Sequence, residues 1–311
     1  MKNTNPTEDV WTLRKKAGAL RKAQRYEEAL EPYRMLWEQS TQQDAWDGWG
    51  YAFCLEKTGQ TTPALEVCRK AHELDPEHEL VRQLYARCLY YVEVRAEQTS
   101  LGRQMQAARL IGELVAQDDP YAPYLVPSIL HVATALKERG RFRDVLEWLD
   151  RLDPSRLSTE PFQLEEKGRT IKIPSEATRY WLLRCKALFR TGDFAGCREA
   201  VEQALQQVPR PVNDADLWWR RLKALAQAVE GDLETAYREL SRLAARKPAW
   251  FLEEDLARIA RKQGNHDVAW RHLLRVLLDR SPLRLRVNAV ERVAAWYEEE
   301  GEAERARQTL A

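Results

Sequence analysis

One pattern recurs along this chain and constrains its fold more than any other feature. It appears in "KTGQTTPALEVCRKAHELDP" (57–76), "ERGRFRDVLEWLDRLDP" (138–154), "RTGDFAGCREAVEQALQQVP" (190–209), "VEGDLETAYRELSRLAARKP" (229–248) and "KQGNHDVAWRHLLRVLLDRSP" (262–282). Each glycine is followed five residues later by a compact side chain: Ala64, Val145, Cys197, Ala236 and Ala269. An apolar stripe with helical spacing follows, and then a proline. About thirteen residues of amphipathic sequence precede each glycine, so the unit reads helix, turn, helix, stop. Glycine suits the left-handed residue that ends the first helix, and proline cannot continue the second. Two helices of this length cannot bury their apolar faces alone, whereas stacked copies can.

Where the repeat is clean its period is 34, from Pro120 to Pro154 and from Pro248 to Pro282. This period and pattern resemble the tetratricopeptide repeat (TPR). The first unit carries "RYEEALEPY", with Tyr26, Ala29 and Tyr33 at apolar and small positions. Ala64 and Ala71 serve the second unit, and Trp181, Phe194 and Ala204 the fifth. The resemblance implies an all-α, right-handed α-solenoid of about eight units, near 10–43, 45–78, 79–121, 126–159, 178–211, 217–250, 250–283 and 287–311.

The expected organisation is a polar tail (1–9), N-terminal units (10–154), an insertion (155–177) and C-terminal units (178–311) that end in a short helix. Unit three is stretched around "EVRAEQTSLG", which predicts a longer helix there. In the insertion, "FQLE" and "TIKI" flank "EKGR", which reads as a small β-hairpin or an ordered loop. It is either a solvated excursion or a flap that touches a partner. The closing "YEEEGEAERARQTLA" suits a polar cap or the stump of a longer protein.

A narrower likeness rests on "YEEALEPYRMLWE…WDGWGYAFCLEKTGQ", "IPSEATRYWLLRCKALFRTGDF" and "KPAWFLEEDLARIARKQGNHDVAW". This series is similar to a bacterial TPR family of TOTE-type conflict systems, in which the array precedes a cold-shock or S1-like domain. It implies a defence-associated scaffold whose chemistry lies on other subunits.

Nothing in the chain points to catalysis. The phosphate-cradling G-x-x-x-x-G-K-[ST] is missing, as are G-x-G-x-x-G, G-x-S-x-G and H-E-x-x-H. The five histidines read as surface or turn residues, with His266 and His272 on different helix faces, and no metal or cofactor is expected. Cys54, Cys68, Cys88, Cys185 and Cys197 fall in apolar helical patterns without any C-x-x-C, so they read as small core residues in a reducing compartment. No signal-peptide h-region and no membrane-length apolar run is visible, which places the chain in the cytoplasm.

The TPR resemblance also implies that the first helix of each unit lines a concave groove, through its second, fifth, ninth, twelfth and thirteenth residues. Unit one places Trp11, Arg14, Gly18, Arg21 and Lys22 there. Unit two places Trp46, Trp49, Phe53, Glu56 and Lys57. Lys137 and Glu138 follow from unit four, and Arg179, Leu182, Lys186, Phe189 and Arg190 from unit five. Units six and seven add Trp218, Arg221, Phe251, Glu254, Arg258, Arg261 and Lys262. Twelve of these are basic and three acidic in a chain whose net charge is only +1, so charge is segregated. Unit eight breaks the trend with Glu291, Glu298 and Glu299.

A basic, aromatic-bearing groove suits an acidic or mixed protein segment, or single-stranded or duplex nucleic acid. Charges that merely decorate exposed faces would give the same count. The chain's asparagines (3, 5, 213, 265 and 288) miss the mid-helix positions of a chaperone-tail clamp. Within "AWDGWGYAFC" (45–54), Gly48 and Tyr51 face the packing side. Trp46, Trp49 and Phe53 share the other face. The expected activity is that of a protein-interaction scaffold, with nucleic-acid binding as the alternative.

Overall fold

The computed structural model describes residues 9–39, 43–166, 168–282, 284 and 286–310. Residues 1–8 of the expected tail, Lys167 of the expected hairpin and the terminal Ala311 lie outside the described residues. The described residues form helices in consecutive pairs. The first four pairs are α1 (Val10–Lys22) with α2 (Tyr26–Gln39), α3 (Ala45–Lys57) with α4 (Thr61–Leu74), α5 (Glu79–Leu89) with α6 (Leu101–Leu114), and α7 (Leu125–Glu138) with α8 (Phe142–Leu149). A hairpin of β1 (Phe162–Glu166) and β2 (Arg169–Ile173) follows. The last four pairs are α9 (Glu176–Thr191) with α10 (Phe194–Gln207), α11 (Ala215–Val229) with α12 (Leu233–Arg246), α13 (Trp250–Lys262) with α14 (His266–Leu278), and α15 (Val287–Glu299) with α16 (Ala303–Leu310). The chain divides into two compact units, Met1–Leu157 and Ser158–Ala311; each is a helical-repeat array, and the second also carries the hairpin.

The repeat pattern works as its chemistry requires. Gly192 takes φ +85° past the end of α9, where a Cβ would be strained, and the turn glycines of the other glycine-bearing repeats do the same. The first pair has no glycine at this point, and Gln24 holds the left-handed backbone instead, at φ 60°. Asp193 and Asp232 then start the second helices by accepting from the N–H of Gly196 (2.8 Å) and Thr235 (3.1 Å). Ala64, Val145, Cys197, Ala236 and Ala269 are all buried where two helices approach closely.

In the N-terminal unit, Leu13, Ala17, Ala29, Tyr33, Leu36 and Cys54 make one core cluster across α1, α2 and α3. In the C-terminal unit, Leu217, Leu240, Leu252 and Leu256 do so across α11, α12 and α13. Each buried leucine of these clusters contributes ~1.5–3 kcal/mol by leaving water. The stretch in the third pair is a π-helical turn, Tyr90–Val94, that prolongs α5. The second helix of the fourth pair, α8, has only eight residues, a shortening that the repeat pattern does not foretell. No helix among the described residues is long and apolar enough to cross a membrane.

Candidate functional site

The aromatic stretch on α3 is organised by its two glycines. Asp44 starts the helix by accepting from the Trp46 N–H at 2.7 Å. A Cβ on Gly48 would lie 2.6 Å from Cζ3 of Trp37 and 2.8 Å from Cβ of Ala71. One on Gly50 would lie 2.5 Å from Cε1 of Tyr33. The rings of Trp37 and Tyr33, both on α2, therefore rest directly on the α3 backbone. The Trp37 ring fills the place that a large side chain at 48 would take.

With that face closed by α2, the remaining rings of α3 line up on the other. His78, Trp46, Trp49, Phe53 and Tyr26 form a continuous row with centroid spacings of 5.7, 5.0, 5.6 and 5.8 Å. Trp46 is 48% exposed, and Trp49 and Phe53 are half-buried. The Arg21 guanidinium lies 4.4 Å from the Trp49 centroid and donates to the Tyr33 hydroxyl at 3.1 Å. The Lys57 ammonium lies 5.3 Å from the Phe53 centroid. At the Tyr26 end a hollow of about 300 Å³ opens between Tyr26, Arg25, Glu28, Lys57 and Thr58. Lys22 is exposed at the end of α1. Trp11 stands apart from the row: it is 67% exposed, with the Lys15 ammonium 5.2 Å from its centroid.

Part of the surplus of basic residues is offset by carboxylates, on the same helix or on the next pair. Arg14 donates to Asp47 at 2.7 Å and to Asp44 at 3.2 Å. Arg221 grips Asp255 with two bonds, 2.5 and 3.2 Å long, and Arg258 is 3.9 Å from the same carboxylate. Arg261 pairs with Glu299 at 2.5 Å and covers Trp296 at 4.2 Å from its centroid. Lys57 is 3.6 Å from Glu56. Asp47 and Asp255 fall outside the expected groove positions, yet each reaches the arginine of the preceding first helix. Arg14, Lys57, Arg221, Arg258 and Arg261 thus lie beside carboxylates, which offsets part of the segregation counted along the sequence.

Burial pushes the carboxyls of Asp47 and Asp255 up, and the arginines only partly oppose it. The bond to Asp47 in turn pushes the Arg14 guanidinium up. Each of these buried carboxylates depends on its arginine, because removing the guanidinium would leave the charge without a close partner.

On α9, Arg179, Lys186 and Arg190 recur along one face, with Arg179 half-buried and the other two exposed. Lys262 is exposed at the end of α13. Trp218 of α11 stacks on Phe251 of α13 at 4.6 Å and 18°, with the Arg221 guanidinium 5.6 and 5.2 Å from their centroids. Each unit thus has its own cluster of rings and arginine on its first helices.

The reading of the histidines as surface or turn residues needs correction at His272. It is buried, with Nε2 2.8 Å from the Tyr237 hydroxyl and Nδ1 2.6 Å from Glu253 Oε2. Its repeat position on the inner face of α14 carries it between α12 and α13, where a polar ring needs such partners. Histidine spacing alone gives no hint of this. His78 and Tyr26 extend the ring row without a sequence signal, because both lie outside α3. Among the described residues, no cluster of three or more His, Cys, Asp or Glu is arranged to hold a metal ion.

No protein-family model matches the chain, and no curated protein matches it. In structure the chain is similar to the human IFIT1 dimer with PPP-AAAA, at 16% identity and TM-score 0.46. That match covers 96% of this chain and 67% of the other. The chain spans about two thirds of the length of the IFIT1 structures it matches. It is also similar to the anaphase-promoting-complex hetero-tetramer Cut9–Hcn1, at 14% identity and TM-score 0.42, over 96% of this chain and 51% of the other. The structural neighbours include a tetratricopeptide repeat protein from Parabacteroides merdae, at 12% identity and TM-score 0.37, over 90% of this chain and 96% of that one.

Proposed function

We propose that this chain is a non-enzymatic interaction scaffold that holds a segment of a partner protein against the first-helix side of its N-terminal unit. The observation that carries this reading is the row of rings from His78 to Tyr26, in which Trp46, beside His78, is nearly half exposed. Trp, Tyr and Arg are the residue types that dominate binding energy at protein interfaces. Arg14 and Arg25 already serve carboxylates of this chain, and Arg21 is engaged by the Trp49 ring and the Tyr33 hydroxyl, so the partner segment is mixed and largely apolar rather than strongly acidic.

Nucleic acid fits the row less well. Bases stack on open ring faces, whereas Arg21 covers Trp49 and Lys57 covers Phe53. The five unpaired thiols suit a reducing compartment such as the cytoplasm. The TOTE-type resemblance adds a bacterial defence complex as the setting for such a scaffold.

The test is a photo-cross-linking amino acid placed at position 46, with a control at the exposed Lys70 on α4. A partner captured from position 46 should also bind the purified wild-type chain. Its affinity should fall more than tenfold in the Trp46→Ala/Phe53→Ala double variant, with helix content unchanged. Equal capture from both positions, or tight binding of a single-stranded oligonucleotide that this double variant abolishes, would overturn the proposal.

A further inference from the structure

The β1–β2 hairpin separates its side chains into two distinct faces. Its register pairs Phe162 with Ile173 and Leu164 with Ile171. Side chains alternate across a strand, so these four apolar groups share one face. All four are exposed: Phe162 by 63%, Leu164 by 43%, Ile171 by 43% and Ile173 by 37%. Gln163, Glu165, Thr170 and Lys172 lie on the other face, where the Thr170 hydroxyl donates to Glu165 at 2.6 Å. Among the described residues no third strand pairs with either edge. The base of the hairpin is tied to the start of α9, where the Ala177 N–H donates to the Ser158 carbonyl at 3.0 Å and the Ser158 N–H to Glu176 at 3.2 Å. A two-stranded hairpin with a bare apolar face is marginally stable in water and gains most from another strand.

Charge and area indicate what that strand is. β2 carries Lys172 between its isoleucines and Arg169 beside the turn, with no acidic residue, so its edge is basic. A newcomer on the β2 edge meets Ile171, Lys172 and Ile173 in alternation, so apolar residues beside the isoleucines and a carboxylate beside Lys172 suit that register. Four apolar side chains offer at most a few hundred Å², well below the ~800 Å² per partner that a stable dimer buries. A second copy of this chain is thus a poor occupant, whereas main-chain hydrogen bonds supply what a short extended peptide lacks in area.

We infer that the free edge of β2 is a strand-addition site for an extended segment of a partner protein, with apolar residues alternating with carboxylates. The site is separate from the ring row on α3 and stands or falls independently of it.

The probe is a fluorescent ten-residue peptide alternating valine with glutamate, titrated into the full chain and read by anisotropy. Binding should weaken more than tenfold in Ile171→Glu and about fivefold in Lys172→Glu, a typical range for a cross-strand pair turned from attractive to repulsive. A peptide alternating valine with lysine should recover binding to Lys172→Glu and bind the wild type poorly. N-methylation of every second residue, in the frame that faces β2, should abolish binding because the main-chain donors are lost. The Trp46→Ala/Phe53→Ala variant should bind the probe like the wild type. The inference is overturned if the wild type does not bind, if both β2 variants bind unchanged while circular dichroism shows intact helices, or if N-methylation weakens binding in neither frame.

Discussion

Replacing Arg221 with methionine keeps the aliphatic packing of that side chain and leaves Asp255 without its two-bond partner. Asp255 is 1% exposed, and its next cation, Arg258, is 3.9 Å away and half-exposed. Remaining charged in that position costs ~3–5 kcal/mol. The alternative is proton uptake. From an unfolded-state pKa of ~3.9, holding a proton at pH 7 costs about three units at ~1.36 kcal/mol each, or ~4 kcal/mol. The expected loss at pH 7 is therefore ~3–4 kcal/mol.

Burial already pushes the Asp255 carboxyl up, and losing the guanidinium raises it further. A folded-state pKa above the unfolded value means that the native chain binds more protons, so the stability of the variant rises as pH falls towards ~4. At pH 5 proton uptake costs only ~1.5 kcal/mol, and the deficit should shrink by ~2 kcal/mol. Adding Asp255→Asn should bring stability back to within ~1 kcal/mol of the wild type at pH 7, since no bare charge remains. Urea unfolding followed by circular dichroism at both pH values reads these differences. A deficit below ~1 kcal/mol, or one equal at pH 5 and pH 7, would refute the reasoning.

Gly48→Ala should destabilise the N-terminal unit by ~1–3 kcal/mol, because its methyl would collide with Trp37 and Ala71, and a denaturation midpoint equal to the wild type would contradict that packing. The five buried thiols should resist iodoacetamide in the native state near pH 7.5. Burial pushes Cys54 up to about 11 and Cys197 up to about 12, so little thiolate forms, and labelling should become rapid only in urea. Mass spectrometry after brief labelling checks this, and rapid native modification of either residue would count against the buried placement.

The fold was legible in the sequence because each unit repeats the same local chemistry. A glycine that ends one helix and a small residue five positions later each have one structural use, and Gly192 and Cys197 serve that use as the pattern requires. The candidate site was only half legible. The repeat register correctly set Trp46, Trp49 and Phe53 on one side of α3 and Gly48 on the other, because helical spacing is a local property. It could not reveal that Asp47 would reach Arg14 or that Asp255 would reach Arg221. Those contacts join residues about one repeat apart, and a charge count along groove positions ignores the residue beside them. His272 was misplaced for the same reason, since its partners Tyr237 and Glu253 lie on two other helices. Nor does anything near Phe142 announce that α8 will stop after eight residues.

The reading rests on rings, and not free positive charge, holding the partner. The measurement that bears on this most directly is the salt dependence of the affinity between the purified chain and the segment captured from position 46. Between ~50 and ~500 mM salt the affinity should change by less than ~tenfold, as expected for an interface that neutralises few charges. A fall of ~1,000-fold over the same range, of the kind phosphate contacts produce, would contradict it and return the first-helix surface to a basic, electrostatic role.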